Sequence, residues 1–189
     1  MPQTLAINTV KTTEAIALLL ELHQKPMILG QLLKTIYFVD RLFLSLANYS
    51  LTNDNYLGKK SGLVPKHIPE LIQQLQRDSL LSISAKDTGY VVLNRCPQTN
   101  TLTNIEIETI KQVYTQKKDL NPFNLLDWDY DLEFIKNHVR TRRTILITPL
   151  DIMYSLDKTI AEIEIYLNLS ESAQFKVKSA VGSFSPIEV

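Results

Sequence analysis

The segment from Met27 to Leu46 constrains this chain more than any other. Its apolar stripe Ile28, Leu32, Ile36, Val39, Phe43, Leu46 advances by three or four residues at a time, and Leu29, Leu33, Tyr37 and Leu44 widen it to most of a helix circumference. A helix apolar on nearly all sides has to sit inside other elements. Five glycines in 189 residues, with apolar residues recurring at helical spacing elsewhere, extend the helical reading to the rest of the chain. Thr13 to Gln24 reads as a first helix, capped by Thr12 or Thr13 and closed before Pro26. Ile68, Leu71, Ile72 and Leu75 mark a third helix packed on the central one, with Pro65 and Pro69 in its first turn. Thr103-Asn104-Ile105-Glu106 has the spacing of a capping box and opens a helix to about Gln116.

Asn121 and Pro122 open a further helix, and Thr144 to Thr148 is a candidate extended segment. Thr148-Pro149-Leu150-Asp151 starts a long final helix with the stripe Ile152, Leu156, Ile160, Ile163, Leu167. Between these, Asn48 to Ser61 reads as an ordered loop or short extended segment, and Leu80 to Ser84 with Gly89 to Leu93 alternates like a β-hairpin. The expected fold is mainly α: a single-domain helical bundle around a central apolar helix, with one small antiparallel β-hairpin. The expected division is a helical domain over 1–147, a C-terminal helical extension over 148–182 and a flexible tail over 183–189.

Twenty basic and twenty acidic residues leave a formal net charge of zero, so no global field draws the chain to nucleic acid or an anionic membrane. The single Cys96 excludes an internal disulfide and suits a reducing compartment. The N-terminus lacks the basic region of a signal peptide, and no apolar run is long enough to span a bilayer. A cytoplasmic protein that binds no membrane itself is the expectation, with a membrane-associated partner left open.

No familiar chemistry survives inspection. Asp127, Asp129 and Asp131 imitate the first calcium-loop positions, but Leu132 stands where glycine is required and His138 where glutamate is. Gly58-Lys59-Lys60-Ser61 fails as a phosphate loop, because Asn53 occupies the first glycine position. His23, His67 and His138 lack metal-ligand spacing, and nothing local marks Cys96 as a nucleophile. Neither a metal nor a cofactor is expected, and the chain is read as a binder, not an enzyme. The basic group Lys136, Arg140, Arg142 and Arg143 is a local cluster that could meet an acidic partner or phosphate. The acidic stretch Asp127 to Glu133 beside it is an equally good partner.

Three short motifs in register carry a family resemblance. Leu33, Tyr37, Phe38 and Asp40 lie on the central helix; Thr52, Asp54 and Tyr56 follow in the loop; Gly62, Val64 and Pro65 precede the third helix. Together they resemble the SocA-like Panacea domain of bacterial and phage antitoxins, whose motifs read "KLLYFAD", "ITGDxY" and "HGPVP". The resemblance spans about residues 27–130. Three positions depart from it: Asn53 replaces the motif glycine, Ser61 the histidine and Leu63 the first proline.

The resemblance implies an antitoxin that binds and neutralises a cognate toxin encoded beside it, different members facing unrelated toxins and some presenting the toxin to a protease. It transfers no catalytic residues. Tyr37, Asp40, Thr52, Asp54, Tyr56, Gly62, Val64 and Pro65 become candidates either for contacting the partner or for holding the loop on the central helix. The expected toxin-binding surface lies near the Asn48 to Pro65 loop and the final helix. A second class of function follows from the order helix, helix, helix, hairpin, which is also that of a winged-helix DNA-binding regulator. Lys66, Gln73, Gln74 and Arg77 would then face the phosphates, a thin basic supply that predicts no tight binding of double-stranded DNA by the isolated chain.

Overall fold

A computed structural model describes residues 7–59, 62–84, 89–119, 145–149 and 152. Helix α1 spans Thr9–His23, strand β1 Met27–Ile28 and helix α2 Leu29–Ala47; strands β2 (Tyr56–Lys59) and β3 (Gly62–Pro65) follow. Helix α3 (Ile68–Arg77), strands β4 (Leu81–Ile83) and β5 (Tyr90–Leu93), helix α4 (Asn104–Lys117) and strand β6 (Ile145–Ile147) complete the order.

The expectation of a helical bundle with one hairpin is corrected. Among the described residues four helices combine with two three-stranded antiparallel sheets, ordered β1-β5-β4 and β3-β2-β6. The predicted hairpin exists, with Leu81 opposite Leu93, but Met27 and Ile28 add a third strand beside Val91 and Tyr90. In the second sheet Tyr56 lies opposite both Pro65 and Ile147. A strand of two residues is too short to display an alternation, so β1 leaves no periodic signal, whereas β6 falls within the segment Thr144 to Thr148 read as extended.

Helix α1 begins earlier than its threonines suggest. Asn8 is the cap, its side chain accepting from the Lys11 amide at 3.2 Å. The hydroxyls of Thr12 and Thr13 instead donate to the carbonyls four residues back, of Asn8 and Thr9, at 2.6 and 2.7 Å. Helix α2 has no side-chain cap; its Leu29 amide donates to the Gly89 carbonyl at 2.9 Å, which ties the start of the central helix to the hairpin. Gly89 holds a φ of +53°, a conformation that favours glycine. Helix α4 carries the predicted capping box, the Thr103 hydroxyl accepting from the Glu106 amide while the Glu106 carboxylate accepts from the Thr103 amide at 2.7 Å.

Helix α2 is the core. Leu32, Ile36, Tyr37, Val39, Leu42 and Phe43 are all buried, and they join one hydrophobic cluster with residues of α1, α3, α4 and both sheets. Ile68, Leu71, Ile72 and Leu75 are the buried face of α3, as their spacing predicts. They join the α2 residues in one cluster; the more extensive contacts of α3 are with β4 and α1, and those of α2 are with α4, β3, β1 and α1. Ile147 and Ile152 reach the same cluster. Glu14, buried on α1, accepts from the amides of Thr101 at 2.8 Å and Leu102 at 2.9 Å and so fixes the approach to α4. Burial pushes its carboxyl up, but hydrogen bonds from Thr99, Leu102 and Thr101 outweigh that and hold it below the ordinary glutamate value. No helix among the described residues is long and apolar enough to cross a membrane.

Candidate functional site

The three motifs converge on two buried carboxylates. Asp40 sits on α2, fully buried, one turn after Ile36. An isolated carboxylate there would be strongly disfavoured, and three donors answer it. The Thr52 amide donates to its Oδ1 at 3.0 Å, and both the Thr52 hydroxyl and the Tyr56 hydroxyl donate to its Oδ2, the latter at 2.6 Å. Burial raises the Asp40 carboxyl above the ordinary aspartate value, and the bonds from Thr52 and Tyr56 pull it part of the way back. Burial, reinforced by the Asp40 charge, pushes the Tyr56 phenol well up, so it remains a donor at neutral pH. The Tyr37 ring closes the arrangement, meeting Tyr56 edge-on with centroids 5.2 Å apart.

Asp54 performs a second task. Fully buried, it caps α3 from fourteen residues away: the amides of His67 and Ile68 both donate to its Oδ2 at 2.9 Å, and His67 Nδ1 lies 2.7 Å from Oδ1. A carboxylate at a helix N-terminus satisfies free amides and meets the positive end of the helix dipole. Its own amide donates to the Thr52 hydroxyl at 3.1 Å, which joins the two carboxylates through one threonine. The Thr52 carbonyl in turn accepts from the Asn8 amide at 2.7 Å, fastening the start of α1 to the same loop.

The departures from the family pattern now have structural meaning. Asn53 adopts a φ of +54°, the left-handed region where glycine is favoured and asparagine is tolerated best among other residues. The loop is therefore formed without the motif glycine. Leu63, in place of the first proline, is fully buried and joins the core, with Gly58 as its cross-strand partner. Ser61 lies outside the described residues. Gly62, Val64 and Pro65 form β3, where Val64 pairs with Leu57 and Pro65 with Tyr56.

Of the candidate residues, Tyr37, Asp40, Thr52, Asp54 and Tyr56 are brought together and turned inward. Lys136, Arg140, Arg142 and Arg143 lie outside the described residues, as do the acidic stretch from Asp127, His138 and the final helix beyond Ile152. Among the described residues no group of three or more His, Cys, Asp or Glu side chains is arranged to hold a metal. Exposed Cys96 donates to Glu21 at 2.8 Å, and the bond and charge of that carboxylate push the thiol up, which lowers its reactivity. Sequence reasoning missed Glu14 and the capping role of Asp54. The motif of Asp54 ends at Tyr56, well before α3 begins at Ile68, so no local spacing signals that role; the one hint is that α3 lacks a side-chain cap of its own.

Comparison with known families agrees with this geometry. The model of the antitoxin SocA-like Panacea domain matches residues 32–133, more than half of the chain, and begins and ends so as to include all three motifs. No curated protein and no solved structure matches the chain significantly. The chain belongs to the antitoxin SocA-like Panacea domain family.

Proposed function

We propose that this member of the Panacea family is an antitoxin that neutralises one cognate toxin by direct contact in the cytoplasm, acting as a binder with no catalytic step of its own. The observation that carries the reading is the family match over 32–133. The inward-facing carboxylates support it by giving the motif residues a scaffold role: they set the loop, the second sheet and the start of α3, leaving partner choice to side chains outside the motifs. A protein family whose shared residues build the frame can present different surfaces to different toxins.

The test is co-expression with the product of the adjacent gene. Direct neutralisation gives restored growth, an unchanged toxin level and a complex that co-purifies. A protease-adaptor role gives restored growth with a falling toxin level. A neighbour that is harmless alone, or toxic but neither rescued nor bound, removes the reading.

One observation favours a second reading. With β2 and β3 taken as an insertion between α2 and α3, the order α1, β1, α2, α3, β4, β5 and the sheet order β1-β5-β4 suit a winged-helix architecture. The solvent face of α3, however, presents Glu70, Gln73, Gln74, Gln76 and Arg77, and Asp78 follows, so little counterion release is available. Fold alone does not assign DNA binding. A salt-sensitive, sequence-selective shift of the chain's own promoter fragment would favour that reading.

A further inference from the structure

The sheet β1-β5-β4 turns one apolar face to the core and a second one outward. Met27, Leu81 and Val91 are buried beneath it, while Tyr90 and Val92 point the other way and are 37% and 39% exposed. Cross-strand pairing extends that outer face, because Ile28 lies opposite Tyr90 and Ser82 opposite Val92. Tyr90, Val92 and Ser82, together with Ile83, Pro26 and Lys25, line a shallow cavity of about 620 Å³. Five large hydrophobic residues are exposed among the described residues, and Tyr90 and Val92 are the two that share a strand and a face.

The charges decide what fits there. Among the described lining residues Lys25 is the one charged group, and it forms no ion pair with any other described residue. Docking of a second copy through a twofold axis would bring two such lysines to one apolar face with no carboxylate among the described lining residues to pair them. We infer that this face is the docking surface for the toxin, and that the toxin presents an apolar or aromatic side chain with a carboxylate beside it: the apolar group covers Tyr90 and Val92, and the carboxylate meets Lys25. The inference rests on the antitoxin reading and adds the surface and the partner's chemistry. It also moves the contact away from the Asn48 to Pro65 loop, whose Thr52, Asp54 and Tyr56 side chains are spent inside the fold. An exposed tyrosine beside a β-branched residue suits a central anchor, and a lone rim lysine suits orientation and rate of encounter.

The test titrates the purified adjacent gene product with the full chain, its Y90T/V92T variant and its Lys25→Glu variant. Threonine keeps the β-propensity at both exposed positions, so wild-type melting is expected for the double variant. The double variant should bind roughly 30-fold or more weakly, and Lys25→Glu about 5- to 10-fold more weakly with a shallower salt dependence. Hydrogen exchange on the wild-type complex gives an independent check, with new protection expected over Tyr90–Leu93 and Lys25–Ile28. Affinities within about twofold of wild type for the variants, or protection confined to other elements, would overturn the surface while leaving the antitoxin reading intact. A neighbour that fails to bind the wild-type chain overturns both.

Discussion

The Tyr56 hydroxyl donates to the Asp40 carboxylate at 2.6 Å, in a place where neither group can reach water. The bond closes sixteen residues of chain, pinning the start of β2 to the middle of α2. Asp40→Ala should remove the acceptor for three donors at once and leave the Tyr56 and Thr52 hydroxyls buried without it. At about 1–3 kcal/mol for each orphaned group, the variant should lose roughly 3 kcal/mol or more. Tyr56→Phe keeps the ring against Tyr37 and should lose only about 1 kcal/mol. Urea unfolding of the two variants checks the order, and equal losses would show that Asp40 is not the hub.

Asp54→Ala should act on α3 alone. It leaves the His67 and Ile68 amides without their acceptor, at a cost of about 0.5–2 kcal/mol, with faster hydrogen exchange at the first turn of the helix. Asp54→Asn retains an acceptor and should lie between the variant and wild type. Unchanged exchange at Ile68 in Asp54→Ala would remove the capping account.

Much of this was legible in advance, for a physical reason. The stripes of α2 and α3 and the Thr103 box are local patterns, written at spacings of three and four, and each forms as its residues predict. The Asp54 cap is not local, since the carboxylate and the helix it serves are fourteen residues apart, and no rule about neighbouring residues reports it. For β6 the extended segment Thr144 to Thr148 was legible, but its pairing with Tyr56, Leu57 and Gly58 was not, because those residues lie far away along the chain. At α1 two kinds of local signal competed: Asn8 took the cap, and Thr12 and Thr13 bonded to the turn before them. The motif residues were recognisable as a set, but their inward orientation depends on the packing of α2 against the loop, which the order of residues along the chain does not display.

Leu71 on α3 borders a groove of about 480 Å³ shared with α1 and Thr99, and its side chain is 9% exposed. Leu71→Ala should therefore lose about 2–3 kcal/mol, the lower part of the range for buried leucines, because the neighbouring groove allows some relaxation. In a chain of this size that is a fall of roughly 5–10 °C in Tm. Gln74→Ala, on the rim of the same groove, should change stability by less than about 0.5 kcal/mol. Thermal melts of the pair distinguish burial from mere proximity.

His23 closes α1 with Nδ1 3.1 Å from the Tyr114 hydroxyl, and burial together with the nearby Lys25 charge lowers its pKa. A depressed folded-state pKa means that the unfolded chain binds the proton more readily. The contribution of His23 is therefore complete above the ordinary value of 6.5 and is lost as pH falls through the lower folded value. His23→Gln should flatten the pH dependence of stability below 6.5 compared with wild type. Parallel wild-type and variant profiles over that window would show that His23 does not contribute.

The central claim is neutralisation by contact, and growth under two independently controlled promoters tests it most directly. The adjacent gene alone should arrest growth, and increasing expression of this chain should restore it in proportion to dose, with the restored cells yielding both proteins as one complex. Arrest that persists at every dose, or restored growth without any complex, would contradict neutralisation by direct binding.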